Sequence, residues 1–243
     1  MAQITANDIH DLFKDLKSRK WCEVKDIPFE NGIYIMYDKE EFFKDECRIV
    51  RIGTHGLNKN NDGLKSRLKK HYNSNHRKNS PGGNESSSVF RKKIGKAFLK
   101  NDPNLKNDPN LQTEWINETI TDKNKKKEIE GKISDYINEH IIFKTVEINT
   151  PDQRKWFEAA LLSTLNQDDE FKHSISPNWL GHNTEEKSIK DSGLWITKEL
   201  DKQPLSNDKK WKELKGFVKE SIRKEKTKQK PQNKKQNKLN LNQ

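Results

Sequence analysis

The chain has 243 residues, of which 30% are hydrophobic and 35% charged, and its formal net charge is +11. That length suits one good-sized domain with a tail, or two small ones, and the low apolar fraction leaves part of the chain as solvated loop or tail. No apolar run nears the roughly 18 residues of a membrane helix, residues 1–20 carry no signal pattern, and two distant cysteines, Cys22 and Cys47, exclude a disulfide scaffold or zinc ribbon and predict a cytoplasmic protein.

In chain order, residues 6–19 read as a helix, with Ile9, Leu12, Phe13 and Leu16 on one stripe. Asn31-Gly32 signals a turn, and residues 33–37 form a strand. On it Ile33, Ile35 and Tyr37 face one way, Tyr34 and Met36 the other. Residues 38–46 are a charged connection. Residues 47–52 are a second strand, closed by Gly53 and paired with the first as an antiparallel hairpin. Residues 62–72 read as a helix with Leu64 and Leu68 inward. A long polar loop spans 73–87, and a helix runs from 88 to about 99. Residues 101–112 repeat a hexapeptide, NDPNLK then NDPNLQ, which makes a turn-rich insertion. An exposed helix is predicted over 125–139, a third strand over 140–148, and a helix opened by Pro151 to about 165. Residues 167–193 read as irregular, 193–197 as a short strand and 208–224 as a further helix. Disorder is expected beyond Lys224, where Lys, Gln and Asn leave no core formers.

The positive charge is concentrated. Residues 65–100 hold eleven Lys or Arg against one acid, Glu85, and residues 219–243 hold nine against Glu220 and Glu225. Basic tracts on a mildly acidic body suit a polyanion, most often nucleic acid. A compositional bias toward Lys and Asn accounts for the tail equally well; it accounts less well for 65–100, where acids are missing.

Three constellations carry chemistry. Tyr34 lies on a strand face beside the Gly53-ended strand, where it either reaches a ligand across the hairpin or packs as a cross-strand aromatic. Arg67 and His71, four apart, share one helix face, which either holds a phosphate or is a solvated basic face. Glu158 precedes Leu161, Leu162 and Leu165 by three, four and seven residues, within the apolar stripe. An acid there needs a partner or a cation, unless it is a helix-start charge favoured by the macrodipole.

Together, Gly32-Ile33-Tyr34, the stretches VRIGTHG, LKSRLKKHY and SVFRKKIGKAFL, and SPNWLG and SGLWIT downstream resemble the GIY-YIG nuclease superfamily, over about residues 31–166. Arg67 with His71 resembles its restriction endonucleases. The resemblance implies an α+β fold, a small three-stranded antiparallel sheet flanked by helices, and a DNA endonuclease. It implies that Tyr34 deprotonates or orients the attacking water, that Arg67 stabilises the phosphate and that His71 assists around the tyrosine. Glu158 would bind a single divalent metal, Mg²⁺ or Mn²⁺, with His55 a neighbour of the site. The asparagine that follows the glutamate helix in this family is Asn166 or Asn178. Lys65, Lys69, Lys70, Arg91 and Lys92 would form the DNA-facing wall. Arg51 stands where the family has its second tyrosine. That departure keeps a second reading open, a nucleic-acid-binding module that has lost catalysis.

The predicted organisation is an N-terminal helical segment (1–30) and a nuclease domain (31–200) with insertions at 73–87 and 101–125. A C-terminal helix (201–224) and a disordered basic tail (225–243) follow. No membrane association is expected, and a homodimer is compatible with the sequence.

Overall fold

Local signals start most elements. In the computed structural model, which describes residues 3–55, 63–72, 87–206 and 209–239, Thr5 caps helix α1 (Ala6–Phe13) in a reciprocal box with Asp8. This helix is shorter than the apolar stripe predicts; it ends in a turn that still delivers Leu16 to the core. Strands β1 (Gly32–Phe43) and β2 (Glu46–Gly53) form the expected hairpin. Strand β1 runs well into the segment expected as connection. Its acids are satisfied there: Asp38 accepts from the Tyr136 hydroxyl at 3.1 Å and Glu41 from the Ser176 N–H at 3.0 Å.

Helices α2 (Leu64–Tyr72), α3 (Val89–Asn101), α4 (Pro109–Asn117) and α5 (Lys123–His140) follow. Two expectations are corrected here. The insertion at 101–125 contains α4, started by Asp108 and Pro109, which buries Leu111 and Trp115. Trp115 lies so close over Gly95 that a Cβ there would overlap its ring. Helix α5 is not an exposed helix: Ile129, Ile133 and Ile137, at four-residue spacing, bury one stripe. Strand β3 (Ile141–Glu147) then pairs with β1, giving an antiparallel sheet of order β2-β1-β3.

Helix α6 (Pro151–Gln167) has Thr150 as its cap and Pro151 at its first position. The segment expected to be irregular holds two short helices, α7 (Asp169–His173) and α8 (Lys187–Ser192). The predicted strand at 193–197 does not form. It sends only its Trp195 N–H to the Val50 carbonyl at 2.7 Å, on the outer edge of β2. Gly193, at φ 65°, is needed there, because a Cβ would overlap the buried Arg48 guanidinium that bonds its carbonyl at 2.6 Å.

Helix α9 (Lys209–Leu239) continues past the point where disorder is expected. The reason is an anchor. Ser221 Oγ accepts from the Glu147 N–H at 2.8 Å, Lys224 pairs with Glu147, and Glu225 forms a buried ion pair with Arg19. The helix thereby covers the outer edge of β3, which would otherwise present unpaired backbone groups.

The sheet separates two cores. On one face Ile33, Ile35, Tyr37, Ile49 and Ile52 pack with α1, α6 and α9. On the other Tyr34, Met36 and Val50 pack with α2, α3 and α5. The division of β1 follows the predicted alternation. In β2 it is broken by a register shift, Arg51 pairing with Met36 and Ile49 with Tyr37. Val50 is the extra residue, and the bulge turns Val50 and Arg51 toward the same side.

Candidate active site

Tyr34 is opposite Gly53 in the hairpin register. A Cβ at Gly53 would overlap the Tyr34 hydroxyl, so this glycine makes room for the phenol. The ring is 1% exposed, and its Oη is 2.8 Å from His71 Nε2. The predicted pairing of the strand tyrosine with the α2 histidine is thus a direct contact. On the far side of the imidazole, Nδ1 is 2.8 Å from Ser88 Oγ; as the cap of α3, this oxygen accepts from the Arg91 N–H. His71 is fully buried. Burial, followed by the fields of Arg67, Arg51 and Arg91, pushes its pKa well below the usual value, so it is neutral.

Three further charged groups surround this pair. Arg67, one turn before His71, is partly exposed. Arg51 is buried. It donates to the Trp195 carbonyl, lies 5.4 Å from the centre of the Phe90 ring, and leaves its Nε unpaired. Glu158, half-buried on α6, has its pKa raised to about 7 by burial; Arg51 and Arg67 pull it down and Glu199 pushes it up. Arg51 and Arg67 thus act electrostatically on both His71 and Glu158.

Glu158 makes no hydrogen bond or ion pair with a described residue. A half-buried carboxylate left in that state favours the arrival of a cation. Among the described residues no cluster of three or more His, Cys, Asp or Glu could cage a metal. One carboxylate with water completing the shell fits Mg²⁺ or Mn²⁺ better than Zn²⁺.

The other predicted residues divide. Lys69 is exposed and Lys70 partly so; Lys65 pairs with Glu30 at 2.5 Å and Lys92 with Glu118 at 2.8 Å. Arg91 is corrected: it is fully buried, ion-paired with Glu130 and bonded to the His71 carbonyl at 3.3 Å and Ser134 Oγ at 3.0 Å. It ties α2, α3 and α5 together and cannot face DNA. His55 is buried, and its Nε2 accepts from the Gly32 N–H at 3.2 Å, which holds the start of β1. Asn166 donates to the Leu200 carbonyl at 3.2 Å, whereas Asn178 is exposed; neither hydrogen-bonds to Tyr34, His71 or Glu158. The predicted loop at 73–87 lies almost wholly outside the described residues.

Sequence reasoning missed Ser88 and Glu199. Ser88 carried a usable signal, a serine directly before an apolar-periodic helix. Glu199 carried none; it is a non-glycine residue at φ 67°, a backbone conformation set by its surroundings.

Tyr34 meets the α2 and α3 side chains on one face of the three-stranded antiparallel sheet, whereas Glu158 comes from α6, the helix packed on the other face. Compared with known families, residues 6–223 match the GIY-YIG domain, and the chain belongs to that family. No curated protein and no solved structure matches it. The match reaches past residues 31–166 to take in α1 and α9 as far as residue 223, the two helices that complete the apolar core.

Proposed function

We propose that this protein is a divalent-metal-dependent DNA endonuclease. The observation that carries the reading is the Tyr34–His71 hydrogen bond, 2.8 Å long, beside the charges of Arg51, Arg67 and Glu158. Phosphodiester hydrolysis needs an activated water, neutralisation of charge on the phosphorane and stabilisation of the leaving oxygen. Tyr34 takes or orients the proton of the attacking water. Arg67 grips the phosphate, its planar fork matching two oxygens at once. Glu158 would hold the metal, which when bound supplies Lewis-acid stabilisation of the developing charge. His71, neutral and immobile, supports the phenol. Lys65, Lys69, Lys70 and Lys92 supply the phosphate-neutralising wall.

Arg51 favours a second reading, a module that binds nucleic acid without cutting it, because it replaces the family's second tyrosine. Both readings are separated by incubating supercoiled plasmid with the protein and Mg²⁺, with and without EDTA. Nicking that EDTA abolishes is expected. Plasmid that is shifted in a gel but never cut would overturn the endonuclease reading in favour of the binding module.

A further inference from the structure

Among the described residues five arginines are buried, and four are committed to the fold. Arg19 is ion-paired with Glu225 and Arg91 with Glu130. Arg48 donates to the Gly193 and Ser192 carbonyls and to Ser174 Oγ, at 2.6, 3.0 and 3.2 Å. Arg154 donates to the carbonyls of Ile148, Asn149 and His55, at 3.2, 2.7 and 3.4 Å. Arg51 is the exception. A guanidinium is always charged and carries five N–H donors. Among the described residues Arg51 makes one hydrogen bond, from Nη1 to the Trp195 carbonyl, and no ion pair. Its Nε is sealed from solvent without a partner, and its Nη2 has no acceptor among the described residues. A buried cation left in that state favours the arrival of an anion.

The fold aims this cation at the site. Arg51 is the register partner of Met36, and Gly53, two residues on, is the partner of Tyr34. Met36 and Tyr34 share the site face. Arg51 and Tyr34 are therefore diagonal neighbours on that face, a spacing of about 7–8 Å that a long side chain spans. The Trp195 carbonyl and the Phe90 ring, 5.4 Å away, hold the guanidinium in place. The residue keeps 6% of its surface open to solvent.

We propose that Arg51, standing where the family has its second tyrosine, is a second phosphate-binding arginine: Nη1 is anchored on the Trp195 carbonyl, and Nη2 donates to one oxygen of the DNA phosphate that Arg67 grips. A tyrosine there offers a neutral hydroxyl. The arginine offers a fixed positive charge to the phosphorane as negative charge builds. Because a neutral carbonyl anchors it, no ion pair cancels that charge beforehand. The catalytic role rests on the endonuclease reading; the phosphate contact does not.

The test reads binding and cutting separately. Full-length protein is titrated against a fluorescein-labelled duplex in EDTA at a series of salt concentrations. Arg51→Gln should bind more weakly and lower the slope of log K against log salt by about 0.9, the share of one phosphate contact on duplex DNA. No cutting is needed, so this result holds for an endonuclease and for a binding module alike. A folded Arg51→Gln with the wild-type slope would overturn the phosphate contact. With Mg²⁺ and plasmid, nicking by Arg51→Gln should fall about 10²- to 10³-fold, the usual loss for one donor to developing charge; nicking at the wild-type rate would confine Arg51 to the fold. Arg51→Lys keeps the charge and most of the stem, so it should fold and keep the salt slope. It should nick about tenfold more slowly, because an ammonium lacks the fork that reaches carbonyl and phosphate together. Full nicking by Arg51→Lys would overturn the divided fork.

Discussion

Strand β1 carries two buried tyrosines, Tyr34 and Tyr37, on opposite faces of the sheet, and each meets a buried histidine. On the site face the Tyr34 hydroxyl hydrogen-bonds His71. On the other face Tyr37 meets His10 edge-on at 6.3 Å between ring centres, and its hydroxyl has no partner. His10 is instead consumed by backbone: Nδ1 contacts the Ala6 carbonyl at 2.9 Å and Nε2 accepts from the Ile49 N–H at 3.3 Å. Burial lowers its pKa to about 4 and raises that of Tyr37 well above 10. The same residue types, equally buried, do different work. What distinguishes the site face is its ring of arginines and the serine behind the histidine, not burial.

The comparison breaks first on Tyr34→Phe. Loss of a general base costs about 10² to 10⁴ in rate, and the variant should fold normally because no cavity opens. Nicking rates at saturating Mg²⁺ check this. An unimpaired Tyr34→Phe would make the two tyrosines equivalent packing residues.

Arg91→Met should come next, as a loss of stability. It leaves Glu130, 2% exposed, without its partner. Breaking one side of a buried pair costs about 3–5 kcal/mol. Urea unfolding measures it. A change under about 1 kcal/mol, the worth of a surface pair, would mean that Arg91 is not the tie among α2, α3 and α5.

The third test uses pH. Glu158 titrates at about 7 in the fold, against 4.5 unperturbed, so the folded protein holds its proton through that window. Stability carried by this proton is lost as pH rises from about 4.5 to 7. Metal binding requires the carboxylate, so apparent Mg²⁺ affinity should climb about tenfold per pH unit below 7 and level off above it. Isothermal titration at several pH values reads the slope, which Glu158→Gln should abolish. A flat profile in the wild-type protein would remove Glu158 as the ligand.

The smallest effect is on the quiet face. Tyr37→Phe removes a buried hydroxyl that has no partner. It should leave nicking unchanged and raise stability by about 1 kcal/mol, the order of the penalty for such a group. Loss of stability would mean that the Tyr37 hydroxyl is paired after all.

Much of this was legible in the residues. The two-residue period of β1 assigns Ile33, Ile35 and Tyr37 to one core and Tyr34 and Met36 to the other without any contact being known. The four-residue spacing of Arg67 and His71 puts both on α2, and the place of Glu158 in an apolar stripe puts it on α6. These are local properties, because side-chain direction follows from the backbone period alone. The failures share a cause. Charge counts placed Arg91 on a DNA-facing surface, but a cation's role depends on whether an acid distant in sequence meets it, and Glu130 does. Composition placed the start of a tail just past Lys224, yet Glu225 is held there by Arg19 in a buried ion pair.

By itself, then, the sequence determined the hairpin, the faces of β1, the helices that begin at Ala6 and Pro151, and the family to which the chain belongs. Tertiary structure alone decided which histidine bonds which tyrosine, that Ser88 stands behind His71, that a bulge turns Arg51 into the site, and which charges are buried. The first set depends on periodicity and capping within a few residues. The second depends on pairings across tens to hundreds of residues, where burial removes water and lets a single donor or carboxylate decide what its partner does.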